Sequence, residues 1–317
     1  MKQTDFLNVL ITEKKVIAND YCELKLRSAH GGDLPEFSAG AHISVKTPQG
    51  GMRHYSLANS PRDRDHYLLA VKAEKGGRGA SLSLVDEVSV GDILEILPPE
   101  NNFELVPAEE YLFIAGGIGI TPILAMCRQL QSEGQSNFHL IYCTQSRETT
   151  VFADQLSEAG LADHVTLHHD EGDISNNYDF WPHFETPSQA HVYCCGPKSM
   201  METIRDMSGH WPESQIHFED FNPVEVLQKD DVSFTVFLKK SNTRITVPAD
   251  QTILETLRNH GYDLRSSCES GTCGSCKTGL LDGEIDHRDL VLSDAEKEIF
   301  VMICVSRAKG GEITLDL

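Results

Sequence analysis

The sequence predicts a chain of three successive domains of mixed class: an antiparallel β-barrel over residues 1–107, an α/β domain with a parallel sheet over 108–228, and a smaller C-terminal domain over 229–317. Three observations carry this. At 317 residues the chain is two to three times the usual domain length. Its texture changes twice, from short β-type runs to alternating strand and helix, and then to a cysteine-rich segment. Of nine cysteines, Cys268, Cys273, Cys276 and Cys304 fall in the last fifty residues.

In the first domain, Tyr21–Arg27, His42–Thr47, Tyr67–Lys72 and Ile93–Leu97 read as strands. Turn residues lie beside or between them (Gly31-Gly32, Gly50-Gly51, Gly76-Gly77, Pro98-Pro99), the spacing of a small barrel. The second domain opens with an apolar strand at Tyr111–Ala115 and helical character over Ile123–Leu130. A strand follows at His139–Cys143, a helix at Val151–Ala159, and strands at Val165–His168 and His191–Cys195. This alternation argues for a parallel sheet covered by helices. In the third domain, strands at Val232–Leu238 and Thr243–Val247 precede a helix at Thr252–Asn259, stopped at Gly261 before the cysteine loop.

Forty-eight acidic residues face 27 basic ones, a formal charge of -21. That balance excludes a basic nucleic-acid footprint and disfavours an anionic membrane surface. The acidity is concentrated: residues 110–223 hold 16 acids and 4 bases, whereas 229–317 hold 15 and 11. Tyr111–Cys127 is 17 residues long and uncharged, yet Gly116, Gly117, Gly119 and Pro122 divide it into strand, turn and helix rather than a membrane span. The N-terminus has no cleavable leader pattern, so a cytoplasmic location is expected.

Cys268-x4-Cys273-x2-Cys276, with Cys304 after a further 27 residues, has the ligand spacing of a plant-type [2Fe–2S] cluster. Gly271, Gly274 and Ser275 keep the loop small enough for backbone N–H groups to approach the sulfides. Structural zinc is the competing assignment, but it usually needs two Cys-x2-Cys pairs, and here there is one. Cys22, Cys127, Cys143 and Cys194 lie in apolar segments and read as small core residues.

The run Cys268–Cys276, together with His287-Arg288-Asp289, Leu292-Ser293, Cys304–Ala308 and Leu315-Asp316-Leu317, resembles the ferredoxin module of the phthalate dioxygenase reductase family. The resemblance extends over the whole chain and implies a flavin-binding barrel, a nicotinamide domain and a C-terminal plant-type ferredoxin (β-grasp) domain. Arg53-His54-Tyr55-Ser56-Leu57 looks like the family's flavin strand: Arg53 suits a phosphate, Tyr55 the isoalloxazine ring, and the Ser56 hydroxyl flavin N5. By the same resemblance Arg78, Gly79, Ala80 and Ser81, which open a short helix at Leu82–Val85, hold the FMN phosphate. FAD is the alternative, since related reductases bind it in the same barrel.

Gly116-Gly117-Ile118-Gly119-Ile120-Thr121-Pro122 lacks the third glycine of the Rossmann pattern, but its mechanics suit a pyrophosphate, with Thr121 as helix cap and Pro122 in the first turn. Cys195-Gly196-Pro197 forms a second turn, and the resemblance places Cys195 beside the nicotinamide. Ser146 and Arg147 stand where relatives contact the adenosine ribose. Arg147 would suit the 2′-phosphate of NADPH, whereas the surrounding acids and the family favour NADH. Glu219 and Phe221 look like the family's Glu-x-Phe segment, with Phe221 over the flavin face or packed at a strand end.

Electron counting orders the sites. NADH gives up a hydride, two electrons together, and a [2Fe–2S] cluster accepts one, so a flavin must stand between them. Plant-type clusters near −400 mV lie below Rieske centres at about −150 mV or higher, a one-electron drop of about 6 kcal/mol. The expected function is therefore the NADH-dependent reductase component of a two-component Rieske oxygenase or demethylase, with Ser56 and Cys195 at the reacting centre. The alternatives are electron supply to a haem-thiolate monooxygenase, and a non-enzymatic carrier or zinc-stabilised module.

Overall fold

The computed structural model describes residues 6–49, 52–75, 79–158, 160–221, 228, 230–264, 266, 271, 274–289 and 291–317. The chain divides into two compact units, Met1–Phe221 and Asn222–Leu317.

The first unit begins with six strands: β1 (Leu7–Ala18), β2 (Tyr21–Ser28), β3 (His42–Lys46), β4 (Met52–Ser56), β5 (Tyr67–Lys72) and, after the short helix α1 (Ala80–Asp86), β6 (Ile93–Ile96). They form an antiparallel sheet in the order β4-β3-β6-β1-β2-β5, whose end strands β4 and β5 approach one another. Period-two burial explains the closure: Val9, Ile11, Leu24, Leu26, Ile43, Val45, Leu69 and Val71 point into one core. β1, the longest strand, is not apparent in the sequence because Glu13-Lys14-Lys15 interrupts its apolar pattern. The fold absorbs Lys14 by hydrogen-bonding its ammonium to the Val85 and Val88 carbonyls at the end of α1.

The same unit continues with β7 (Glu110–Gly116), α2 (Ile120–Ser132), β8 (Phe138–Thr144), α3 (Ala153–Leu156), β9 (Val165–His169), α4 (Trp181–Phe184), β10 (Ala190–Cys195), α5 (Lys198–Met207) and β11 (Ile216–Glu219). All five strands are parallel, in the order β11-β10-β7-β8-β9. One apolar core lies on each face of the sheet, as a parallel sheet requires. The helix expected over Val151–Ala159 shrinks to the four residues of α3. Phe152 takes a left-handed φ of 61° so that it and Val151 enter the core, which delays the first helical turn.

The second unit holds β12 (Phe234–Leu238), β13 (Thr243–Val247), α6 (Ile253–Asn259), β14 (Lys277–Asp282), β15 (Ile285–Asp286), α7 (Asp294–Lys297), β16 (Phe300–Met302), β17 (Arg307–Ala308) and β18 (Glu312–Leu315). Its main sheet is mixed, ordered β13-β12-β18-β14-β16, with β12 parallel to β18. α6 carries a capping box, Thr252 with Glu255, and buries Ile253, Leu254 and Leu257. β12 begins two residues later than expected because Asp231 and the Val232 carbonyl are taken by arginines: Arg288 grips Asp231 at 2.6 and 2.9 Å, and Arg307 donates to Val232 O at 3.1 Å.

Candidate functional site

The parallel register of β7 and β10 sets Cys194 opposite Ile114 and Cys195 opposite Ala115, so the turns leaving the two strands meet. Glycine is required where they touch. A Cβ on Gly119 would lie 2.2 Å from Cys195 O, and one on Gly116 would lie 2.4 Å from Pro197 Cδ. A Cβ on Gly196 would stand 2.9 Å from both Gly116 Cα and N. The cradle therefore brings Gly116, Gly117, Gly119, Gly196 and Pro197 to one place at the carboxyl ends of the strands, the position where open α/β sheets bind ligands. Its shape fits a pyrophosphate and an adjoining flat ring.

Thr121 does not cap the helix as expected. A 3₁₀ turn at Gly117–Gly119 runs straight into α2, so Gly119 is the cap residue. The Thr121 hydroxyl instead donates back to Ile118 O at 3.0 Å, and Pro122 sits in the first turn. Tyr142, which sequence reasoning passed over, steadies the turn from below: its buried hydroxyl donates to Gly117 O and accepts from Val151 N. The only signal was a phenol in the middle of a largely buried strand.

Cys195 is fully buried, and burial first, then Glu219, pushes its thiol well above the ordinary range. The thiol is therefore held neutral, which suits a packing contact better than nucleophilic attack. Glu219 pairs with Cys195 across β10 and β11. Burial raises its carboxyl to about 8, and its Oε2 is sealed from solvent with no hydrogen-bond partner among the described residues. Phe221, just beyond β11, is 40% exposed rather than packed at the strand end. Ser146 caps the 3₁₀ turn Arg147–Thr149 by reciprocal bonds with Thr149, leaving the Arg147 side chain exposed beyond β8.

On the barrel, β3 and β4 pair Val45 with Arg53, Ile43 with Tyr55 and His42 with Ser56. Arg53 donates to Met52 O at 2.8 Å and has no carboxylate partner among the described residues. Burial pushes the Tyr55 phenol up to about 12. Ser56 is only 5% exposed, yet its hydroxyl makes no hydrogen bond among the described residues. A mostly buried serine whose hydroxyl is unspent among the described residues, next to a guanidinium with no carboxylate and a half-buried phenol, fits a flavin ring and its phosphate tail. Leu57 is fully buried behind them.

Arg78 lies outside the described residues. Gly79 has a φ of +87° and caps α1, accepting from Ser83 N at 2.9 Å, with the Gln49 side chain against its Cα. Ala80 is buried, and the Ser81 hydroxyl accepts from Glu74 N at 3.1 Å, which leaves its proton available to an anion.

In the second unit, Cys268 and Cys273 lie outside the described residues. Cys276 and Cys304 are buried, and β14 pairs antiparallel with β16, Lys277 opposite Met302, so both cysteines come to the same end of the sheet. Gly271 has a φ of +76°, and a Cβ there would meet Val305 Cγ2 at 2.8 Å and Asp289 Cα at 3.2 Å. Two buried thiols at one end of the sheet, with Gly271 packed against Val305 and Asp289, fit part of a [2Fe–2S] ligand set. Of the other cysteines, Cys22, Cys127 and Cys194 are core residues as expected, whereas Cys143 is only partly buried, and no described cysteine is in a disulfide.

Three family models match the chain in the order of these sites: an oxidoreductase FAD-binding domain over residues 8–105, an oxidoreductase NAD-binding domain over 113–206, and a 2Fe-2S iron-sulfur cluster binding domain over 236–309. Phthalate dioxygenase reductase of Burkholderia cepacia is 46% identical over 318 residues, covering 100% of this chain and 99% of that protein. The chain belongs to the phthalate dioxygenase reductase family. Within it, vanillate O-demethylase oxidoreductase of Pseudomonas putida is 36% identical, covering 98% and 100%. A solved phthalate dioxygenase reductase, described as a modular structure for electron transfer from pyridine nucleotides to [2Fe-2S], superposes with a TM-score of 0.86 at 47% identity and 98% coverage of both chains. An intact type IV self-sufficient cytochrome P450 monooxygenase matches all of this chain with 42% of its own length, at 35% identity and a TM-score of 0.77. This family member is an NAD(P)H-dependent flavin and [2Fe–2S] oxidoreductase, the reductase of a multicomponent oxygenase. Among the described residues, no helix is long and apolar enough to cross a membrane.

Proposed function

We propose that this reductase takes a hydride from NADH onto FMN and passes single electrons through its [2Fe–2S] cluster to a terminal Rieske-type oxygenase or demethylase in the cytoplasm. The observation that supports this most directly is the colinearity of the three sites with full-length reductase relatives. When bound, the flavin converts the two-electron donor into two one-electron exits. The protein's own groups orient and insulate. Gly116–Gly119 and Cys195–Pro197 admit the dinucleotide backbone, and Ser56 offers its hydroxyl to flavin N5. The neutral Cys195 thiol fills the space beside the nicotinamide without adding charge. Arg53, Arg78, Gly79, Ala80 and Ser81 are assigned to the flavin phosphate, with Tyr55 and Leu57 against the ring. Ser146 and Arg147 border the adenosine end, and Glu219 and Phe221 the nicotinamide side. Cys268, Cys273, Cys276 and Cys304 hold the irons. The corresponding domain borders are 1–107, 108–228 and 229–317.

The exposed Arg147 leaves NADPH recognition to be measured, while the acidic surroundings, 16 acids over 110–223, favour NADH. The likeness to a self-sufficient cytochrome P450 supports a second reading, with a haem-thiolate protein as acceptor. The test is direct: iron content, acid-released flavin run against FMN and FAD standards, and bleaching by NADH against NADPH. Reconstitution with candidate oxygenases follows. One zinc and no iron would overturn the cluster, released FAD the flavin assignment, and turnover only with a P450 the Rieske acceptor.

A further inference from the structure

We propose that Arg128 is a positioning residue for hydride transfer, fixing the nicotinamide turn against the flavin strand through its bond to the Ala58 carbonyl. α2 begins at the Gly117–Gly119 turn, and Arg128 lies nine residues beyond Gly119, about 13 Å along a rigid helix. From there Arg128 Nη1 donates to Ala58 O at 2.8 Å. Ala58 stands two residues after Ser56. The stretch between is already tied down: Leu57 N donates to Ala41 O, Ala58 N to Leu68 O, and the Asn59 amide to the Ser60, Asp63 and His66 carbonyls. Ala58 is fully buried, and Arg128 is the one donor to its carbonyl among the described residues. The same turn of α2 makes two more contacts with the barrel. Gln129 Oε1 accepts from Ala39 N at 3.3 Å, and Met126 lies against Gly40, where a Cβ would be 3.1 Å from the methionine methyl.

An ion pair does not explain this arginine. It borders a cleft of about 470 Å³ that also holds Glu23 and Asp63, yet neither carboxylate forms a salt bridge with it. Among the described residues its one directional contact is a neutral carbonyl two residues beyond the flavin strand. Burial lowers its pKa, with Glu158, Asp63 and Glu23 opposing at a distance, so the site retains a charge that an apolar residue would avoid. Hydride transfer from nicotinamide C4 to flavin N5 breaks a C–H bond, forms an N–H bond and moves both electrons with the hydrogen. Its rate is sensitive to displacements well below 1 Å. A helix anchored at one end to the donor's cradle and at the other to the acceptor's strand sets that distance.

The proposal rests on the NADH-to-flavin reading, and the experiment separates the two. In the full-length holoprotein, flavin reduction is followed by anaerobic stopped flow with NADH and with 4-deuterated NADH. The charge-transfer absorbance, NADH affinity, flavin content and melting temperature are recorded alongside. Arg128→Ala is expected to slow flavin reduction at saturating NADH roughly tenfold or more and to weaken the charge-transfer band, with NADH affinity changed less than about threefold. Arg128→Lys, which keeps a donor, should recover part of the rate. A wild-type rate and band in Arg128→Ala, whatever its melting temperature, would overturn the proposal by leaving only a structural role. Should Arg128→Ala not fold, Arg128→Gln and Arg128→Met make the comparison: faster reduction in the glutamine variant supports the bond, and equal rates overturn it. A wild-type flavin that NADH does not reduce would instead sink the underlying reading.

Discussion

Glu219 is a carboxyl held far from its ordinary state. Its carboxyl is raised from 4.5 to about 8 by burial alone, so the folded chain holds a proton there that the unfolded chain gives up. The sign follows from proton counting: between about pH 4.5 and 8 the native state binds more protons, and stability falls as pH rises. Each pH unit in that window is worth at most about 1.4 kcal/mol for one such group. Glu219→Gln, neutral throughout, should flatten this part of the stability profile, as read from denaturant midpoints at pH 5, 6.5 and 8. A parallel decline in both proteins would place the proton elsewhere. The sequence reveals Glu219 only through its resemblance to a family segment, because burial that arises from β10 and β11 pairing leaves no local signature. Ser56 was easier to find, since Arg53-x-Tyr55-Ser56 is contiguous. What the sequence lacks is that the serine is buried with its hydroxyl unspent.

Individual elements carry sharper constraints. The β7–α2 and β10–α5 turns fit together only because Gly116, Gly119 and Gly196 have no side chains. Gly119→Ala would place a methyl 2.2 Å from Cys195 O, a backbone atom that cannot rotate away. The expected cost is about 1–3 kcal/mol of stability. Dinucleotide affinity should fall about tenfold as the cradle opens, measurable with the non-reducing product NAD+ by quenching of flavin fluorescence. Wild-type NAD+ affinity in that variant would mean that the dinucleotide does not use the cradle. The glycine string was legible in sequence, but the partner it meets is about 75 residues away, and the Thr121 cap was misplaced because a 3₁₀ turn advances the helix start.

The Asp231 clamp illustrates the same limit. Arg288 and Arg307, from a loop and from β17, converge on one buried acid near the start of the second unit and hold its carboxyl below the ordinary range, Arg288 first. Asp231→Ala removes the carboxylate the two guanidinium groups share, leaving Arg288 with Asp286 and Arg307 with the Gln251, Val232 and Pro248 carbonyls, and should cost about 1–3 kcal/mol in denaturation followed by cluster absorbance. Asp231 loses its charge only below its depressed pKa, so the wild-type advantage should persist above about pH 4 and fade in stronger acid. An unchanged midpoint at pH 7 would show the clamp to be energetically idle.

At the scale of the molecule, each candidate site has its own sheet: the flavin strand on the antiparallel one, the glycine cradle on the parallel one, and Cys276 and Cys304 at one end of the mixed one. That division was readable from texture and motif order, because each cofactor imposes a short local pattern. β1 and the register between strands were not readable, being set by pairing over long separations. The modular layout makes a clear prediction. Cys276 is buried directly before β14, opposite the strand that leads to Cys304, so its thiolate cannot be replaced by a neighbouring group without moving the sheet. Cys276→Ala should therefore lose the cluster's visible absorbance and reduced-state EPR signal. It should also lose roughly 100-fold or more of cytochrome c reduction, since the one-electron exit is gone. Reduction of the flavin by NADH, which depends on the other unit, should stay within about twofold of wild type, because sites that share no partners behave independently. Loss of both activities together would mean that the cluster supports the flavin unit as well as draining it. Retention of both would remove Cys276 from the ligand set.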